Sequence, residues 1–166
     1  MRPYFYLGDH RALTRLSTDE FFYVYTEDRS ITPWILLGGH WEVFVDDLLC
    51  ALARPGDVFV DVGANLGYYT VKIGARVGAA GRVHSFEPNP LMYGFLFDNV
   101  EINGLTGRTA LHRAAAGGQA GEAWFSFKRR EPGGGVVHEE RRGAENEFRV
   151  PVVSLDEAVP TIGRST

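Results

Sequence analysis

Two short stretches carry residue types suited to holding a small charged ligand. The first is Asp61-Val62-Gly63-Ala64-Asn65-Leu66-Gly67. Gly63 has no side chain, so a ligand can approach its backbone. Gly67 permits close packing where a helix begins. A helix start offers free N–H groups and a partial positive charge, both suited to a carboxylate. Asp61 adds a negative charge beside it. An amino-acid zwitterion fits this arrangement, with its ammonium near Asp61 and its carboxylate near the amides.

The second stretch is Glu87-Pro88-Asn89, with Glu87 placed 26 positions after Asp61. A carboxylate at the end of the second strand of a βαβ unit lies beside the ligand and can accept both hydroxyl protons of a ribose. Glu87 alone also suits a nicotinamide dinucleotide. The first loop argues against that ligand, because it lacks G-x-G-x-x-G, and it lacks G-x-x-x-x-G-K-[ST] for a nucleoside triphosphate. Asp61 would also repel a pyrophosphate. The two stretches together favour an adenosyl ligand without phosphates.

The surrounding sequence supplies elements to position these groups. Val58 to Val62 is a short apolar run of the kind found in buried parallel strands. A helix is predicted over about 67–77, a strand over 83–86, a helix over about 91–102 ended by Asn103-Gly104, and a strand over 109–114. Alternating strands and helices imply a parallel sheet with crossover connections. Before this core, Phe21 to Tyr25 reads as a strand, and Thr32-Pro33 as a hydroxyl cap with proline at the first helical position. Trp41, Phe44, Val45, Leu48, Leu49 and Leu52 mark an apolar helix face, with Glu42, Asp46 and Asp47 opposite. After the core, Ala123 to Phe127 alternates like a hairpin strand, residues 128–147 read as a charged, Gly-rich solvated loop, and 149–153 as a strand followed by a helix start.

Five blocks resemble one family in order: GDVFVDVGANLGYYT, GRVHSFEPNP, DNVEINGL, ALHRAAAG and VPVVSLDEAV, spanning about residues 56 to 159. They are similar to the FkbM-type methyltransferases, of class I and dependent on S-adenosyl-L-methionine. DRSITPWILLGGHWE, residues 28–42, also looks like the segment that precedes the core in some of these proteins. The resemblance implies a Rossmann-like α/β sheet and cofactor contacts at Asp61, Gly63, Asn65 and Glu87. By position it adds Ala64, Gly67, Pro88 and Asn89, with Ala114 and Ala115 beside the adenine. The family pattern continues into further strands, so a partial class I sheet is expected. Residues 1–54 are read as an N-terminal cap segment of a small α+β extension, and 55–166 as the cofactor-binding core.

The resemblance implies methylation of a small-molecule or sugar hydroxyl. A cofactor-binding module without turnover is the alternative, and a nicotinamide-dependent enzyme is a more distant one. No catalytic base is fixed; His40 is the best-placed candidate, since the turn from Gly38 to Glu42 could cap the pocket. Tyr68 or Tyr69 could line its methionine end, although helix packing explains either. Trp34 and Trp41 suit a core. The five histidines form no metal-binding pattern, so no metal is expected. A net charge of −4 gives no basic footprint, so no nucleic-acid partner is expected. The single cysteine and the lack of a long apolar run suggest a cytoplasmic chain without a membrane partner. A homo-oligomer could complete the sheet.

Overall fold

A computed structural model of the chain describes residues 1–159. The ligand loop belongs to a parallel sheet of β4 (Val58–Val62), β5 (Arg82–Phe86) and β6 (Thr109–His112), in that spatial order. Its register pairs Asp61 with Ser85 and Val62 with Phe86, so the first loop and Glu87 leave the sheet at the same end. Helices α3 (Tyr68–Val77) and α4 (Pro90–Ile102) connect these strands. Met92, Phe95, Leu96, Asn99 and Val100 form the buried stripe of α4 at spacings of three and four.

Two strands precede Phe21–Tyr25 that the sequence reading did not anticipate. β1 (Phe5–Gly8) and β2 (Arg11–Arg15) form an antiparallel sheet with β3 (Phe21–Tyr25). Their turn holds Gly8, Asp9 and His10 at positive φ. β3 lies at the sheet's edge, and α4 covers that edge with two amide side chains. Asn103 pairs with the N–H and C=O of Phe21, and Asn99 with those of Tyr23. Residues four apart on a helix rise about 6 Å, and residues two apart on a strand about 6.8 Å, so the two rows nearly match. The main core runs across this junction, joining Ala12, Phe22 and Val24 to Val71, Leu96 and Val100.

Helix α1 (Thr32–Gly38) starts where expected, but Thr32 does not cap it. The Asp28 carboxylate accepts from the N–H groups of Ser30, Ile31 and Thr32 at 2.8–2.9 Å. The Thr32 hydroxyl donates instead to the Tyr25 carbonyl.

Helix α2 (Val43–Leu52) is rotated from the expected orientation, although Leu49 packs inward and Asp47 is exposed as expected. Asp46 is buried, whereas Phe44, Val45, Leu48 and Leu52 are exposed. The inner stripe is Asp46, Leu49, Cys50 and Ala53, packed toward α3. A buried carboxylate is tolerated there because Lys72 of α3 lies 2.5 Å away and the Tyr68 hydroxyl donates at 2.9 Å. Trp34 is likewise 57% exposed rather than core.

After β6 the chain enters a second sheet. Its spatial order is β7 (Ala115–Gly117), β10 (Glu147–Ser154), β8 (Gly121–Lys128) and β9 (Glu131–His138), followed by the short α5 (Leu155–Ala158). The expected solvated loop therefore contains a paired strand. Among the described residues no helix is long and apolar enough to cross a membrane.

Candidate cofactor site

Glu87 organises the ligand end of the sheet. One carboxylate oxygen accepts from the Asn65 N–H and the other from the Asn89 N–H, both at 2.8 Å. Burial pushes the Glu87 carboxyl up to about 7, against those two hydrogen bonds, which pull it down. Asn89 caps α4, its side-chain oxygen accepting from Leu91 N–H at 3.0 Å.

The loop after β4 is held by its own amides. Gly63 and Ala64 donate to the Phe86 carbonyl, Asn65 to Glu87, Leu66 to the Asn65 side chain, and Gly67 to the Ala64 carbonyl. These bonds fix the loop and occupy the amides that the sequence assigns to a ligand carboxylate. Gly63 has φ +76 with open space where a Cβ would be, so the backbone is bare toward the cleft. Gly67 has φ +89, and a Cβ there would lie 2.7 Å from Leu96. Its role in the structure is close packing of α3 on α4.

The Asp61 carboxylate turns toward α3 and accepts from the Thr70 hydroxyl at 2.6 Å, which also meets Ser85 at 2.7 Å. Burial raises the Asp61 carboxyl, with the Thr70 bonds opposing.

Two cavities meet at Val62, Gly63 and Gly133. The smaller, about 180 Å³, is lined by Glu87, Pro88, Ala114, Ala115, Phe86 and Phe125 among others. The larger, about 470 Å³, is lined by Asp61, Ala64, Asn65, Trp41, Tyr68 and Tyr69, and by Glu42 and Glu131. Among the described residues no lysine, arginine or histidine lines the larger one. Asp61, Gly63, Ala64, Asn65, Glu87, Pro88, Ala114 and Ala115 are thus brought together. Asn89 stands behind Glu87, and Gly67 lies in the packing beneath.

His40 lines neither cavity; its ring packs over Gly38. The same turn instead delivers Trp41 and Glu42. Glu42 has φ +46 and accepts from the Tyr69 hydroxyl at 3.0 Å. Burial and the Glu42 carboxylate both raise the Tyr69 phenol. Sequence reasoning missed Glu42 by placing it on the outer side of a helix. It also missed Pro132 to Gly135, which line both cavities, although the run Pro132-Gly133-Gly134-Gly135 was a visible signal of close backbone approach.

The model of the methyltransferase FkbM domain matches residues 61–166. The chain belongs to the FkbM methyltransferase domain family. The tRNA wybutosine-synthesizing protein 2 homologs of Mus musculus and Homo sapiens are each 39% identical over 64 residues, which is 39% of this chain and 14% of theirs. The chain therefore matches only a small part of those relatives' length. The structure of P. horikoshii TYW2 in complex with MeSAdo aligns with a TM-score of 0.52 at 18% identity, over 66% of this chain and 38% of that one. A complex of aTrm5 and tRNALeu aligns with a TM-score of 0.51 at 13% identity, over 65% and 29%. Both likenesses establish the Rossmann-like methyltransferase fold.

The comparisons correct one expectation. A small-molecule acceptor with no nucleic acid does not stand, because the matched relatives are named for tRNA modification. The net charge of −4 was a poor guide. It averages over the whole chain, whereas nucleic-acid binding depends on where basic groups lie.

Proposed function

We propose that this FkbM-family chain holds S-adenosyl-L-methionine across the two joined cavities and directs its methyl group onto a nucleoside of an RNA. The observation that carries the cofactor placement is the charge of the larger cavity: Glu42, Asp61 and Glu131 line it, and among the described residues no basic side chain does. Such a cavity welcomes a sulfonium and an ammonium and repels phosphate. The smaller cavity, with Glu87 at its mouth and Ala114, Ala115 and Phe86 along it, suits the ribose and adenine.

When bound, the cofactor supplies an electrophilic methyl group. The chain's own part is to hold and orient the reactants in a confined space. The names of the relatives support the RNA acceptor. The acidic cavity adds a constraint on it. The RNA phosphates stay outside, and the target base has to leave its stack to reach the cleft.

The test is calorimetric titration with S-adenosylhomocysteine and, in parallel, NAD, followed by transfer of labelled methyl to bulk tRNA. Binding of the first ligand alone and label in tRNA support the reading. Binding of NAD in its place would overturn the cofactor assignment; label absent from tRNA would overturn the acceptor.

A further inference from the structure

The ladder between β8 and β9 breaks directly over the cleft. Ser126 pairs with Val136 and Lys128 with Glu131. A single residue of β8, Phe127, therefore stands opposite four of β9, Pro132 to Gly135. A common bulge sets two residues against one. This wider one throws a short loop of backbone out from the sheet.

The loop is tied at both ends of its approach. The Arg130 carbonyl accepts from the Arg29 N–H at 2.9 Å, and the Pro132 carbonyl lies 3.4 Å from the Asn89 side-chain nitrogen. Just beyond them, Gly133 borders both cavities, with Pro132 and Gly135 on the smaller and Gly134 on the larger.

The glycines here serve closeness rather than backbone conformation, since none of the three has positive φ. A Cβ on Gly133 would lie 2.1 Å from the Asn65 side-chain nitrogen, and one on Gly135 would lie 2.1 Å from the Phe125 ring. A Cβ on Gly134 would meet nothing nearer than 3.5 Å. The strap is thus pressed against the ligand loop at Gly133 and is open at Gly134.

We propose that Pro132–Gly135 is a cofactor-binding strap, whose peptide groups close the cleft where its two cavities join and whose height is set by Gly133. This rests on the cofactor reading above. Bare backbone can contact a ligand through N–H and C=O groups without filling the space the ligand needs. A ligand that spans both cavities passes beneath the strap.

Calorimetry with S-adenosylhomocysteine tests this on the full chain. Gly133→Ala is expected to weaken binding at least about tenfold, and Gly118→Ala, at an exposed glycine that lines neither cavity, to change it by less than about twofold. Asn65→Gly combined with Gly133→Ala removes the group the new methyl strikes, at a position of φ +53 where glycine is comfortable, and should bind more tightly than Gly133→Ala alone. Wild-type affinity in Gly133→Ala, or an equal loss in Gly118→Ala, would overturn the strap. Hydrogen exchange on the wild-type chain gives a second reading that needs no variant. Amides of residues 133–135 should exchange more slowly with S-adenosylhomocysteine bound, and unchanged exchange would overturn the proposal. If the wild-type chain binds no S-adenosylhomocysteine at all, the cofactor reading fails and the strap fails with it.

Discussion

The Glu87 carboxylate holds the Asn65 N–H at 2.8 Å, tying the end of β5 to the loop after β4. Its other oxygen holds the Asn89 N–H, so one side chain ties the loop after β4 to the start of α4. Glu87→Gln keeps the shape but gives up one acceptor, since an amide nitrogen cannot receive an N–H. Affinity for S-adenosylhomocysteine should fall by about tenfold to a hundredfold, as expected for losing a hydrogen bond to a charged group. Calorimetry on a variant with unchanged circular dichroism reads this directly. Unchanged affinity would remove Glu87 from the site.

The same residue predicts a pH dependence. On the proposed placement, ribose hydroxyls would donate to the carboxylate, so the ionised form should bind better. With Glu87 raised to about 7, affinity should drop as pH falls through 7, by up to about tenfold per pH unit. Stability should move the other way. A carboxyl raised in the fold keeps a proton that the unfolded chain releases, so this group's contribution to stability is full below about pH 4.5. It declines as pH rises toward 7 and is level above. Both trends should flatten in Glu87→Gln, and titrations between pH 5.5 and 8.5 would show whether they do.

The residues of the ligand loop were legible because their chemistry is local. Asp61 to Gly67 sits on one turn, and Glu87 follows at the next strand end, so period and turn residues place them together. What escaped notice depended on distant partners. Asp46 reads as a surface acid by helical periodicity, but Lys72 lies 26 positions on and turns it inward. With it rotates all of α2, and Glu42 comes into the cavity in place of His40. Thr32 has the right type for a cap, yet Asp28, four residues earlier, holds the N–H groups that lead into the helix with a charged acceptor, and the Thr32 hydroxyl turns to the Tyr25 carbonyl. The β9 strand hid in a charged, Gly-rich run because its glycines answer to Asn65 and Phe125, which no local pattern reveals. The β1–β2 turn at Gly8-Asp9, between an aromatic run and the alternating Arg11 to Arg15, was a signal that could have been read.

The Asp46–Lys72 pair gives a prediction about stability. Both side chains are buried, and the Tyr68 hydroxyl donates to the same carboxylate oxygen. Burial and that carboxylate also raise the Tyr68 phenol, so Tyr68 stays a neutral donor. Lys72→Met leaves a buried carboxylate without its counter-charge and should destabilise the fold by about 3–5 kcal/mol. Adding Asp46→Leu should restore most of the loss, because the remaining pair is apolar and similar in volume. Urea denaturation of the two variants checks this. If the double variant is no more stable than the single one, the cost lies in packing rather than in the stranded charge.

Asn99 offers a sharper contrast with its neighbour. Its side chain accepts from the Tyr23 N–H at 2.6 Å and donates to the carbonyls of Tyr23 and Leu66 at 3.0 and 2.8 Å, and it is fully buried. Asn103 makes the matching pair with Phe21, but at an exposed position. Water can replace Asn103 and cannot easily reach Tyr23. Asn99→Ala should therefore cost at least about 3 kcal/mol, from several buried groups losing partners, whereas Asn103→Ala should cost about 1 kcal/mol or less. Leu66 lies in the ligand loop, so Asn99→Ala should also loosen that loop. Thermal shifts with and without S-adenosylhomocysteine would separate the two effects: a loosened loop reduces the ligand-induced shift as well as the unliganded Tm. Equal costs at Asn99 and Asn103 would mean that burial is not what makes the helix edge hold the strand.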